Sequence, residues 1–455
     1  MSDYLIALVY AAMALGGLVA PFVASLGYVW VDSFYPQHVG RYVMGGFPVA
    51  AVMGSAALLS YVLMDRRAPP RIGAMLLLTG CMAIWMTVTL SWAVSPNSAW
   101  LKWDWASKAV LFAGFIPFVF RSRVQIEALI QVHILGSSMH LLAVGIKSLL
   151  SGGGYNLNMT LLPADVGLSE SSAMATMAIA FVPLLLFLRK HSLLVPWGWM
   201  RNLFFGSFAL FCFPAAIGTG ARTGIVCMLL LGGLYWLQSR QKLVSGMAIA
   251  ILGILVVVFS PDRWKDRMST INEYSQDTSA LTRIKVWQWV LDFARDNPFG
   301  GSFRAYEINL IHMPPDAYHP EGWVQRGRAP HSTWFEMLNE LGWPGLLMFL
   351  CLIGLTFYTC YSVMRRTRGI ESLQWCSDLA RALGTALLVL MAGSTFIGVG
   401  FQPWYWMMFA LAFCLSEYVR RALSPGKPLP GYLPAPSSPA APPMPMPGLP
   451  ARRRA

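Results

Sequence analysis

Hydrophobic positions along this chain come in long unbroken runs, with polar residues confined to the gaps. About twelve runs approach the twenty apolar residues that cross about 30 Å of hydrocarbon. They cover roughly residues 4–26, 43–64, 73–94, 106–120, 128–150, 171–188, 203–218, 223–238, 243–260, 341–363, 382–400 and 403–419. The pattern predicts an all-α polytopic membrane protein, with spans 1–9 in residues 1–260 and spans 10–12 in residues 333–423. The first run has no basic stretch before it and more spans after it, so it is not read as a cleavable signal peptide.

The gaps are unequal. Arg66, Arg67 and Arg71, then Arg121 and Arg123, then Arg189, Lys190 and Arg201, then Arg240 and Lys242, recur at every second gap. Arg365, Arg366, Arg368 and Arg381, and finally Arg420 and Arg421, continue the alternation. The positive-inside rule makes that face cytoplasmic. An even span count then places both termini inside. The opposite face has one large gap, residues 261–332, with equal numbers of acidic and basic residues. A long loop of this kind usually serves function. Within it, Ser279 to Asn297 reads as an amphipathic helix with Ile284, Trp287, Leu291 and Ala294 on one face, stopped by Asn297-Pro298 and Gly300-Gly301. Residues 424–455 are rich in Pro and Ala and predict a disordered cytoplasmic tail.

Composition fits this picture. Hydrophobic residues make up 56% of 455 and charged ones 12%, about half the soluble norm, which excludes an ordinary soluble domain. The net charge of +13 would suggest nucleic acid in a soluble protein. Here most of the excess marks one membrane face, so no nucleic-acid partner is expected and contact with membrane lipids is. The seven cysteines form no C-x-x-C pair, and most lie in apolar runs as small hydrophobes.

Candidate chemistry gathers on the face with the large loop. Gly218-Thr219-Gly220-Ala221-Arg222-Thr223 joins two apolar runs with almost no loop. An arginine there is a functional hypothesis, or else it snorkels to head groups; Thr219 and Thr223 offer donors beside it. Arg283, with Lys285, opens the amphipathic helix, where a bound anion would relieve its conflict with the helix dipole; a solvated Arg is the alternative. His331, in Ala329-Pro330-His331-Ser332-Thr333-Trp334, stands where the chain re-enters the membrane. An imidazole there suits a general base, or a hydrogen-bonded interfacial role. Glu336, Asn339, Glu340, Leu341 and Gly342 follow it. His133, His140 and Lys147 share a face of the fifth span, either lining a polar cleft or pairing with a neighbouring helix. Glu170 is a possible partner for an Arg. No D-x-D pair, P-loop, H-E-x-x-H or G-x-S-x-G is present, and neither metal nor cofactor is expected. Asn158-Met159-Thr160 is a weak N-glycosylation pattern.

Taken in order, these elements resemble the O-antigen ligase and polymerase superfamily of bacterial inner-membrane proteins. The Arg after a small-residue turn, Arg283-x-x-x-Trp287, Asn297-Pro298-Phe299-Gly300-Gly301, and His331 with Glu340-Leu341-Gly342-x-x-Gly345 carry the resemblance across residues 205–365. Two departures stand out: Ser332 where the family usually has an amide, and Ala221 where it has Ser. Pro21 to Pro36, with Trp30 and Tyr35-Pro36, is similar to O-glycosylation ligases associated with exosortase systems. The resemblance implies a GT-C-like fold and an undecaprenyl pyrophosphate-linked glycan donor. It implies transfer to an acceptor hydroxyl, lipid A–core, at the periplasmic face, metal-independent and inverting. His331 is then the general base, and Arg222 and Arg283 bind pyrophosphate, with Thr219, Thr223, Lys147, Glu170 and Trp287 around the substrate. A polymerase, a ligase acting on protein, and, outside enzymes, a transporter or flippase remain alternatives. A transporter would show charges near the midplane of several spans and repeated halves; neither is visible.

Overall fold

The computed structural model describes residues 2–150, 162, 167–259, 278–315 and 320–424. The expected disordered tail from 425, the first part of the large loop (260–277) and the Asn158 glycosylation pattern lie outside the described residues.

The chain is almost wholly helical. In order it forms α1 (Ser2–Gly16), α2 (Pro21–Phe34), short α3 (Pro36–Val39) and α4 (Arg41–Met44), α5 (Val49–Met64), α6 (Ala74–Val88), α7 (Pro96–Val119) and α8 (Arg123–Leu150). Then come α9 (Ser171–His191), α10 (Gly198–Gly218), α11 (Arg222–Gln238), α12 (Lys242–Phe259) and α13 (Thr278–Asp296). A small antiparallel hairpin, β1 (Leu310–Met313) and β2 (Trp323–Arg326), pairs Leu310 with Arg326 and Met313 with Trp323. Last are α14 (Thr333–Arg366), α15 (Gln374–Ser394) and α16 (Pro403–Ala422).

Among the described residues, six stretches are long and apolar enough to cross a membrane: Ala74–Trp92, Arg123–Leu150, Ser171–His191, Gly198–Gly218, Thr333–Arg366 and Glu371–Ser394. This is half the expected number. α1 and α5 are apolar but shorter, and α7 carries Lys102, Asp104 and Lys108 between its start and its middle. The core runs through the centre of the bundle, along α9, α14, α15 and α16. There Trp404, Tyr405, Trp406, Phe181 and Phe349 are fully buried.

The first apolar run differs from its expectation. Residues 4–26 are not one helix. Helix α1 ends at Gly16, and Pro21, which cannot donate a backbone hydrogen bond, opens α2. A Cβ on Gly16 or Gly17 would lie 2.6 Å from Val23 or Ala24, so the two helices fold tightly back on each other. The backbone N–H of Tyr42 donates to Asp3 (3.2 Å), and the Tyr10 hydroxyl donates to the carbonyl of Val49 at the start of α5 (2.9 Å). The far end of α5 reaches the far end of α7, where Arg67 donates to the Val119 carbonyl (3.0 Å). The near end of α7 follows Trp92, which donates to Gly300 in the large loop (3.1 Å). The start of α1 therefore shares an end of the bundle with that loop, whereas an even number of spans would put it at the opposite end.

Helix α13 occupies the residues expected, but is rotated from its expected face. Val286, Val290 and Ala294 are buried against Ile311, Met313 and Leu338, while Ile284 and Leu291 are exposed. Large apolar residues surround this helix, so spacing alone does not select the packed face.

Candidate active site

The loop after α13 and the start of α14 interlock backbone to backbone. Gly342 breaks α14 with φ +66°, a region that favours glycine. The Trp343 N–H donates to the Pro298 carbonyl (2.9 Å), and the Gly301 N–H to the Asn339 carbonyl (3.0 Å). A Cβ on Gly342 would lie 2.3 Å from the Pro298 oxygen, and one on Gly300 (φ +77°) 2.4 Å from the Gly342 nitrogen. The glycines of both motifs thus exist for one close approach. The Trp85 indole N–H donates to the Leu341 carbonyl from a separate helix (2.8 Å).

Beneath this junction lies a buried ionic knot. Lys102 of α7 donates to Glu336 (2.6 Å) and Glu340 (2.8 Å), one turn apart on α14. Glu340 also accepts the Arg304 N–H (2.9 Å), and Glu336 accepts the Gly400 N–H (3.0 Å). The Lys102 ammonium stands 5.0 Å from the centre of the Phe401 ring. Lys102, Glu336 and Glu340 are 7%, 8% and 0% exposed, so each depends on its partners for solvation. Sequence reading noted both glutamates but not Lys102; the available signal was a lysine amid Trp100, Trp103 and Trp105 facing carboxylates at i, i+4 spacing.

His331 sits directly above the knot, one residue before the N-cap of α14. Its backbone has φ +45°, unusual outside glycine and a strain of about 1–3 kcal/mol held by the surroundings. Two anchors flank it. The Trp287 indole N–H donates to the Pro330 carbonyl (2.7 Å), its ring stacked on Phe335. The Thr333 hydroxyl donates to the Ile397 carbonyl (2.9 Å) and accepts the Val399 N–H (3.0 Å). His331 Nδ1 lies 3.5 Å from a Glu170 carboxylate oxygen, with side chains 47% and 38% exposed. Imidazole and carboxylate are thus open to a substrate.

Glu170 is the N-cap of α9. In the first turn of α11, a Cβ on Gly224 would lie 3.2 Å from Ala175 of α9. Ala175 is five residues from Glu170, roughly 7.5 Å along the helix. Arg222, which opens α11 and is half-buried, therefore stands at the same end as Glu170 and His331. Thr219 donates to the Ala216 carbonyl (2.7 Å) and accepts the Ala221 N–H (3.2 Å), shaping the turn before Arg222; Thr223 is buried. Lys147 lies in the last turn of α8. Two residues earlier, a Cβ on Gly145 would lie 2.8 Å from the Phe211 carbonyl of α10, the helix that leads to Thr219. Arg283 is half-buried one turn before Trp287. The structure thus joins His331 to Glu170 directly, and Trp287 to the residue before His331. It gathers Arg222, Thr219, Thr223 and Lys147 at neighbouring helix ends.

The fifth-span histidines pair with α2. His133 Nδ1 pairs with the Ser33 hydroxyl (3.0 Å) and His140 Nε2 with the Phe34 carbonyl (2.9 Å), tying α8 to α2. Among the described residues, no three His, Cys, Asp or Glu side chains gather as a metal site would require.

The interlocked backbone segments of the junction, Glu336 and Glu340 of the knot, and His331 all fall inside one recognisable segment. Residues 207–350 match the O-antigen ligase family. This O-antigen ligase region runs from α10 into α14 and holds Arg222, Arg283, Trp287 and His331. Residues 1–193 match a family of unknown function, which supplies Lys102, Lys147 and Glu170. No curated protein matches the chain.

Proposed function

We propose that this chain is a membrane-embedded O-antigen ligase-type glycosyltransferase that moves a glycan from undecaprenyl pyrophosphate to a hydroxyl of lipid A–core. The observation that carries this reading is His331, held in strained backbone beside Glu170, at the helix end that also bears Arg222, inside the O-antigen ligase region. The acceptor oxygen attacks the anomeric carbon while the bond from that carbon to pyrophosphate breaks. Undecaprenyl pyrophosphate leaves, and direct displacement inverts the anomeric centre. His331 takes the acceptor's proton. Glu170 faces Nδ1, so Nε2 is the nitrogen for that proton, and the carboxylate stabilises the imidazolium that forms.

Arg222 and Arg283 suit the pyrophosphate, because guanidinium forks onto phosphate oxygens and steadies charge developing on the leaving group. Lys147, Thr219 and Thr223 add a cation and two hydroxyls. The N-termini of α9 and α11 point to the same end and favour an anion there. Trp287 holds the segment that carries His331. The leaving group needs no metal, and this end of the bundle is the periplasmic one in the inner membrane.

The deletion strain tests the reading. Long glycans left on undecaprenyl support ligation to lipid A–core, whereas single repeat units capping the core indicate a polymerase. Unchanged surface polysaccharide overturns both.

A further inference from the structure

Helix α7 carries a further ion pair, and it faces outward. Lys102, Ala106 and Val110 are buried on the inner side of the helix. Leu101, Asp104, Lys108 and Leu111 line the opposite side, and both leucines are exposed. Lys108 donates to Asp104 one turn before it (2.7 Å), and the two side chains are 42% and 55% exposed. Helix α7 runs antiparallel beside α6, which fixes the depth of this pair. The Trp103 indole N–H donates to the Thr87 hydroxyl (3.0 Å). Further down, a Cβ on Gly114 would lie 3.6 Å from the Thr79 side chain. Asp104 and Lys108 fall between those two levels, alongside the stretch Ala74–Trp92 that is long and apolar enough to cross a membrane. Charges turned outward at that depth meet hydrocarbon and are costly unless a polar partner covers them.

We infer that this face of α7 is an interface within the membrane, and that its partner is a second copy of this chain. Leu101, Asp104, Lys108 and Leu111 recur at the alternating three- and four-residue steps of a narrow seam between two helices, with a polar layer between apolar ones. Charge selects the occupant. Around a two-fold axis normal to the membrane the two α7 helices run parallel, and each presents to the other the same acid and the same base. A helical side chain leans toward the N-terminus of its helix. The reach that takes Lys108 to its own Asp104 therefore also takes it across the axis to the partner's Asp104. The seam then holds two acids and two bases, closed against lipid, and that layer sets the register of the pair. Lys102, on the inner side, keeps its bonds to Glu336 and Glu340.

The test counts subunits of the labelled full chain in dilute lipid vesicles by single-molecule photobleaching. The parent chain bleaches in two steps. Asp104→Lys fills the seam with lysines and Lys108→Asp fills it with aspartates, so each variant alone bleaches in one step. Co-expressing the two variants restores two steps, one from each label, because bases then face acids across the seam. An ion pair that acts only within its own chain cannot be rescued by mixing. A single step for the parent, two steps for both variants alone, or one step for the co-expressed variants overturns the interface. Where a charge-reversed chain does not fold, read as loss of its thermal unfolding transition, a disulfide across the seam decides instead. With the exposed cysteines removed as Cys81→Ser and Cys351→Ser, Leu101→Cys gives a cross-linked dimer on mild oxidation, and Leu210→Cys, exposed on α10, does not. No cross-link at position 101, or equal cross-linking at 210, overturns the interface.

Discussion

Two ion pairs flank the start of α14, and they are opposites. In the Lys102–Glu336–Glu340 knot the charges are buried, at 2.6 and 2.8 Å, with backbone N–H groups on both carboxylates. In the His331–Glu170 pair, barely more than a helical turn away along the chain, both side chains are well exposed and 3.5 Å apart. A close, dry, multiply bonded cluster holds architecture, although Glu340 Oε2 within it is buried without a hydrogen-bond partner. A loose, wet pair on a strained backbone has little structural value of its own but keeps its nitrogens and oxygens available. The knot fixes α14 to α7 and to the 397–400 turn, and His331 projects from that fixed base.

Three substitutions probe the contrast. The largest effect is expected from His331→Ala, which slows glycan transfer about 10²–10⁴-fold if the imidazole is the base, while the thermal unfolding midpoint in detergent barely moves. Full activity would remove His331 from that role. Next, Lys102→Met leaves two buried carboxylates facing each other and destabilises the protein by about 3–5 kcal/mol, read as a drop in unfolding midpoint. Adding Glu336→Gln and Glu340→Gln recovers most of that loss; if Lys102→Met alone melts like the parent, the knot is not structural. The smallest effect belongs to Glu170→Gln. It changes stability by less than about 1 kcal/mol, as an exposed pair should, yet slows transfer about two- to fivefold at saturating donor, in keeping with a lost interaction of that size. A large stability loss there would erase the difference between the two pairs.

Much of this was legible in the sequence. Helix α13 lies within one residue of its expected limits, because Asn297-Pro298 and the two glycines punctuate it. His331 stands at the membrane re-entry that the onset of hydrophobicity marks. Other features depend on distant partners. Lys102 meets Glu336 across 234 positions of chain, and nothing local in either segment announces the other. The break in residues 4–26 turns on Gly16, Gly17 and Pro21, which a mostly apolar run conceals. The buried face of α13 was ambiguous because Trp287 and Trp289 lie on different sides of a helix with apolar residues all round.

The doubling back of α1 onto α2 bears on how the chain enters its membrane. Both ends of that hairpin lie on the side of His331, so the pair enters and leaves by the same surface, and its turn of Gly17, Leu18, Val19 and Ala20 carries no charge to hold it on the far side. The first segment to cross with a basic anchor behind it is then α5, followed by Arg66, Arg67 and Arg71. Insertion would be oriented from there, with the hairpin tucked in afterwards as a plug against α5 and α8. A reporter fused ahead of Ser2 would emerge on the side of His331, and one fused after Ser424 on the opposite side.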